Sequence, residues 1–166
     1  MPYINVSFKE KSPMRRTEKE ITNRKEIDEI LSNAPICRIG LIDQEAPYLV
    51  PMNFGYKDNC LYFHSAPKGK KIEILKKNPI VCFEVEDDLS LINTGIPCKW
   101  SMQYKSVIGH GTASFITEPH HKQQALSIII EHYSPGTKYE FPEKNLQEVL
   151  IIKVEINKIS GKKSHD

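Results

Sequence analysis

Leu61-Tyr62-Phe63-His64-Ser65-Ala66-Pro67-Lys68-Gly69-Lys70-Lys71-Ile72-Glu73-Ile74-Leu75-Lys76-Lys77-Asn78-Pro79 reads as a strand handing over to a helix. Leu61, Tyr62 and Phe63 are strand formers. Ile72, Ile74 and Leu75 supply an apolar helical face, and Asn78-Pro79 is a stop signal. Pro67 is tolerated in a first helical turn, where its missing N–H has no intrahelical partner. The charge is the oddity. Lys68, Lys70 and Lys71 crowd a helix start, where each cation is unfavourable by roughly 0.3–1 kcal/mol. A bound anion reverses that sign, and free backbone N–H groups, Gly69 and the lysines then make a phosphate site. A solvated basic turn, continued by Lys76 and Lys77, reads about equally well on charge alone.

Outward from this stretch, short strands follow one another closely. Ile36 to Ile42, Tyr48 to Tyr56, Cys60 to Ser65, Ile80 to Glu86, Gln103 to Ile116 and Val149 to Ile159 are the six expected strands. Tight turns between them favour an antiparallel sheet or small barrel. Helices are expected over Ile21 to Asn33, capped by Thr22 or Asn23, and over Glu118 to Tyr133. Asp87 to Pro97 and Pro135 to Asn145 read as loops. Residues 1–20 read as a polar N-terminal arm. Pro51 cannot donate to a ladder, so its strand must be open on one side or bulged. Gly109 and Gly111 mark a bend or bulge inside a long strand. The expected fold class is β-rich α+β, an antiparallel barrel of about six strands with flanking helices, in one domain over 1–166.

Composition narrows the function. A hydrophobic content of 39% with 27% charged residues describes a folded globular chain. A net charge of +2 is too balanced to indicate nucleic acid. A nucleic-acid barrel also needs a broad basic stripe with stacked aromatics, whereas the relevant lysines gather at one helix start. No apolar run approaches the roughly 18 residues of a membrane span. Met1-Pro2-Tyr3-Ile4-Asn5 lacks a signal-peptide pattern, so a cytoplasmic location is expected. Cys37, Cys60, Cys82 and Cys98 form no C-x-x-C pair, and Cys37 and Cys82 read as buried small hydrophobes. No histidine spacing matches a metal site, so none is expected. G-x-S-x-G, G-x-G-x-x-G and P-loop patterns are all absent.

What remains is a strand edge around Pro51 to Phe54, offering backbone groups to a flat polar ring. Lys70, Lys71 and Lys105 can neutralise a phosphate, and Trp100 or Tyr104 can cover an aromatic face. Such aromatics are more commonly core or rim residues, and a lone histidine such as His64 is more commonly structural. Taken together the residues describe a site for a phosphorylated aromatic cofactor, and flavin mononucleotide (FMN) fits.

Tyr48-Leu49-Val50-Pro51-Met52-Asn53-Phe54-Gly55-Tyr56, then Leu61-Tyr62-Phe63-His64-Ser65-Ala66-x-x-Gly69-Lys70-Lys71, then Ser106-Val107-Ile108-Gly109-x-Gly111 resemble the pyridoxamine 5′-phosphate oxidase-related flavoproteins, most of all their nitroimidazole-resistance branch. Met14-Arg15-Arg16 to Ile21-Thr22 and Ile159-Ser160-Gly161-Lys162-Lys163 are also similar to that branch. The resemblance implies a split β-barrel and a homodimer with FMN at the interface. It places Val50, Pro51, Met52 and Asn53 along the isoalloxazine, His64 and Ser65 nearby, and Lys70 and Lys71 on the phosphate. Lys105 and Ser106 fall where the second subunit contributes. The implied activity is FMN-dependent oxidoreduction, moving electrons from a reduced donor to a small acceptor such as a nitroaromatic, with His64 orienting substrate or delivering a proton. The alternative is a flavin- or haem-binding carrier or sensor without turnover. The oxidases' C-terminal substrate-phosphate arginines have no match in Gly161-Lys162-Lys163-Ser164-His165-Asp166, which argues against pyridoxamine phosphate as substrate.

Overall fold

The computed structural model describes residues 15–164. Met14 and the greater part of the expected N-terminal arm lie outside the described residues. Eight antiparallel strands form one sheet: β1 (Glu20–Ile21), β2 (Cys37–Asp43), β3 (Ala46–Met52), β4 (Gly55–Lys57), β5 (Cys60–Ser65), β6 (Ile80–Ile92), β7 (Ser101–Ile116) and β8 (Leu150–Lys163). Their order is β3-β2-β6-β7-β8-β5-β4, with β1 pairing on β8. The helices are α1 (Arg24–Asn33), α2 (Lys70–Lys77), α3 (Pro119–Tyr133) and α4 (Glu143–Glu148). No helix among the described residues is long and apolar enough to cross a membrane.

The two strands beyond six have physical reasons. Tyr48 to Tyr56 divides because the chain leaves the sheet at Asn53 and Phe54, then re-enters at Gly55 to pair with β5. Ile21 is strand rather than helix, paired with Gly161 and buried. Helix α1 starts only after Asn23, whose side chain accepts a hydrogen bond from Lys25 N–H at 2.9 Å. Strand β6 runs on through the expected Asp87 loop, because a register shift between Asp87 and Ser90 absorbs the irregularity and pairing resumes. The expected loop 135–145 overlaps the start of α4.

Alternation sorts the sheet into two faces. Cys37, Ile39, Leu41, Val81, Phe83, Val85 and Val107 point into the core. Ile27, Ile30 and Leu31 of α1 and Ile72, Ile74 and Leu75 of α2 complete it. Burial of each such side chain contributes about 1.5–3 kcal/mol. Cys82 faces the other way and is half-buried, so it is not the core residue the apolar run suggests. The glycines of β7 are needed for space. A Cβ at Gly109 would lie 2.3 Å from Phe83 Cζ, and one at Gly111 2.5 Å from the Glu155 carbonyl. The expected bulge lies between His110 and Gly111.

Candidate functional site

Strand β3 is the last strand of the sheet, so one long side of it has no strand neighbour, one of the two arrangements that Pro51 allows. Val50 and Met52 lean toward the core side and are half-buried; Pro51 and Asn53 are exposed. At the far end of β5, His64 is exposed, while Ser65 is buried and donates to the Ala66 carbonyl at 3.0 Å. Consecutive strand residues face opposite ways, so these two side chains do not share a face.

The turn after Ser65 leads into α2, whose N-cap is Gly69 at φ +129°. That backbone conformation is nearly closed to other residues. It explains why the helix begins at Lys70 and leaves Pro67 ahead of it, outside the first turn where the sequence suggested it. A Cβ at Gly69 would meet nothing within 4 Å, so the turn faces open space. Ile72 and Glu73 N–H both donate to the Gly69 carbonyl. The amides of the helix start ahead of them are the donors a terminus leaves over.

The three lysines differ. Lys70 Nζ sits 2.9 Å from Asp43 Oδ2 and 4.7 Å from the centre of the Tyr48 ring. The hydrogen bond to Asp43 raises its pKa. One of the crowded cations therefore already has an anion from its own chain, at the β2–β3 turn. Lys68 is exposed and Lys71 half-buried, and among the described residues neither meets a carboxylate. The Lys70 contact joins the helix start to the β3 edge, since Tyr48 lies two residues from Val50 on the same face. A cavity of about 300 Å³ opens beside the pair, lined by Asp43, Gln44, Lys70, Glu73 and Lys77 among others. Free amides, a glycine turn open to solvent and two ammonium groups that meet no carboxylate among the described residues fit a phosphate monoester.

The remaining candidates lie elsewhere. Trp100 is 47% exposed at the end of a turn between β6 and β7. Tyr104 is held at its backbone by Ser164, whose Oγ accepts from Tyr104 N–H at 2.9 Å and donates to the Met102 carbonyl at 2.7 Å. Lys105 Nζ approaches Glu26 of α1 at 3.9 Å, and Ser106 pairs in register with Glu86 and Lys162. Strands β2 and β6 separate β3 from β7 by three strand spacings, roughly 14 Å. Within one chain, Lys105 and Ser106 are thus apart from Lys70 and Lys71. A larger groove of about 880 Å³, against α3 and lined by Tyr56, Tyr62, Glu131 and His132 among others, contains none of the predicted residues.

Three participants were not legible in the sequence. Asp43 looked like an ordinary turn residue. Tyr133 closes the exit from β3: its hydroxyl accepts from Phe54 N–H at 3.0 Å and donates to the Pro35 carbonyl at 2.9 Å. Arg38, opposite Pro51, bridges Glu84 at 2.9 Å and Glu86 at 3.1 Å. Burial raises the Glu84 pKa, partly offset by its hydrogen bond to Arg38. Among the described residues no group of His, Cys, Asp and Glu is arranged to hold a metal ion.

Comparison with known proteins follows the same lines. A family model described as pyridoxamine 5′-phosphate oxidase matches residues 23–163. The crystal structure of a candidate 5-nitroimidazole antibiotic resistance protein from Bacteroides thetaiotaomicron superposes with a TM-score of 0.77 at 35% identity, covering 86% of this chain and 85% of that one. An FAD- and haem-binding protein from Mycobacterium smegmatis superposes with a TM-score of 0.79 at 21% identity, over 89% of this chain and 74% of that one; at that identity the likeness is one of fold. An uncharacterised protein of Rhizobium meliloti is 26% identical over 91 residues, 55% of this chain and only 53% of its own length.

Proposed function

The chain belongs to the pyridoxamine 5′-phosphate oxidase family, and from that premise we propose that it is an FMN-dependent oxidoreductase acting on small acceptors. The observation that carries the proposal is the Lys68–Lys71 turn: an open Gly69, two ammonium groups without carboxylate partners among the described residues, and a direct contact through Lys70 and Tyr48 to the outer edge of β3. The turn holds the phosphate, with Lys71 the principal cation and Lys70 shared with Asp43. Val50, Pro51, Met52 and Asn53 frame the isoalloxazine. The flavin supplies the redox chemistry, taking electrons from a reduced donor and passing them to the acceptor. His64, exposed at the end of β5, orients that acceptor or delivers a proton. The likeness to a candidate nitroimidazole-resistance protein favours nitroaromatic acceptors.

A second copy of the chain completes the site in this reading. Leu89, Leu91, Ile96, Trp100 and Met102 are 43–58% exposed along one hairpin arm, a patch that calls for cover. Closing two arms against two barrels would bring Trp100, Tyr104, Lys105 and Ser106 of one copy to the β3 edge of the other. It would also account for the two strands, β2 and β6, that lie between β3 and β7 within one chain.

The purified protein tests this directly. Flavin absorption bands, release of FMN rather than FAD on denaturation, and a solution mass of two chains are expected. A colourless monomer that takes up no added FMN would contradict the proposal. Turnover with a reductant and a panel of nitroaromatics separates enzyme from carrier.

A further inference from the structure

We propose that Tyr133, on the last turn of α3, is a positioning residue for the cofactor-framing edge; the inference rests on the reading of Val50 to Asn53 as that edge. Phe54 lies between β3 and β4, is fully buried, and has no strand to pair its N–H with. Buried amides without a partner are rare. The Tyr133 hydroxyl supplies the acceptor at 3.0 Å and spends its only proton on the Pro35 carbonyl at 2.9 Å. Pro35 leads into β2, Phe54 follows β3, and between them Cys37 pairs with Met52. One hydroxyl therefore ties together both strand ends at the mouth of the β2–β3 hairpin.

Strand ends fray unless something holds them. At this end the register has consequences, because a slip of one residue would exchange the faces of Val50, Pro51 and Met52. Tyr133 itself is 45% exposed, and the packing of its neighbours fixes the end of α3 that carries it. The His132 ring stands 4.6 Å from that of Phe54, and its Nε2 is 2.8 Å from the Ala34 carbonyl, to which it donates. Gly55 brings β4 into backbone contact with α3, where a Cβ would lie 2.7 Å from the Ile128 carbonyl. The end of α3 thus sets where Asn53 leaves the sheet.

Tyr133→Phe tests the inference, with Ser134→Ala as a control. Ser134 sits next in the chain, and its hydroxyl pairs with that of Thr137 in an exposed contact. FMN affinity, the visible absorption band of bound flavin and the thermal midpoint are measured on wild type and both variants. Wild type and Ser134→Ala are expected to bind FMN alike. Tyr133→Phe is expected to bind about tenfold more weakly, the scale of one hydrogen bond, with a displaced flavin band. A lowered midpoint with unchanged affinity and band would show that the hydroxyl only stabilises the fold, and would overturn the inference while leaving the site intact. Wild type that binds no FMN would remove the site and the inference together. Hydrogen exchange on wild-type protein covers the case in which Tyr133→Phe does not fold. FMN is expected to slow exchange at the amides of Asn53 and Phe54, and unchanged exchange there would overturn the inference.

Discussion

Two corners flank strand β3, and they are built on opposite terms. At its exit, Phe54 is fully buried between the rings of Phe63 and His132, and its N–H, the Tyr133 hydroxyl and the Pro35 and Ala34 carbonyls are all paired. At its entry, beside the β2–β3 turn, Lys68, Gly69 and Lys71 face solvent or lie half-buried, without a carboxylate among the described residues. The ion pair there, Lys70 with Asp43, is exposed and screened by solvent, so it adds little to stability. A corner with every polar group satisfied serves the fold. A corner that leaves cations and helix amides open costs stability, and a ligand can recover that cost.

The sharpest way to break this contrast is to cut into the closed corner. Phe54→Ala is expected to lower stability by about 3–5 kcal/mol in urea or thermal unfolding, and a change below 1 kcal/mol would show that the corner is not packed as described. Gly55→Ala is expected to cost about 1–3 kcal/mol, because its methyl group would press on the Ile128 backbone; a neutral result would mean that α3 shifts freely.

Acidification probes the same corner more gently. Burial lowers the His132 pKa, its hydrogen bond to Ala34 opposing in part. The folded state therefore prefers the neutral ring, and the unfolded state takes up the proton first as pH falls. The His132 contribution is complete above about pH 6.5, the ordinary histidine value, and is lost on acidification through the lowered folded value. Unfolding midpoints between pH 8 and pH 5 should fall less steeply for His132→Gln than for wild type. Parallel curves would assign the acid sensitivity to other groups.

The smallest stability effect is expected at the open corner. Without ligand, Lys71→Ala should leave stability within about 0.5 kcal/mol of wild type, or raise it slightly, since it removes a cation from a helix start. A loss above 1 kcal/mol would mean that Lys71 belongs to the fold and not to a ligand.

The open corner was largely legible in the sequence because local signals carry it. The apolar positions Ile72, Ile74 and Leu75, the Asn78-Pro79 stop and the odd lysine cluster all lie within one stretch, and α2 ends where that stop places it. Pro51 likewise called for a strand open on one side or bulged, and β3 is open on one side. The closed corner was not legible. Tyr133 meets Phe54 across 79 positions and Pro35 across 98, and no local periodicity reports a contact of that range. Asp43 was missed because a carboxylate in a turn is unremarkable until the fold sets α2 beside it. The hairpin arm was undercounted for another reason: Glu86-Asp87-Asp88 has the composition of a turn, yet a register shift lets pairing continue through it.

In the proposed function the turn before α2 receives a phosphate. Its most direct test is a pair of affinities, FMN against riboflavin, measured by flavin fluorescence on wild type and on Lys71→Ala. The two ligands share the ring and differ by the phosphate. Wild type should prefer FMN by at least tenfold, and Lys71→Ala should lose most of that preference with its riboflavin affinity unchanged. Equal affinity of wild type for the two ligands, or a preference that survives in Lys71→Ala, would place the phosphate elsewhere.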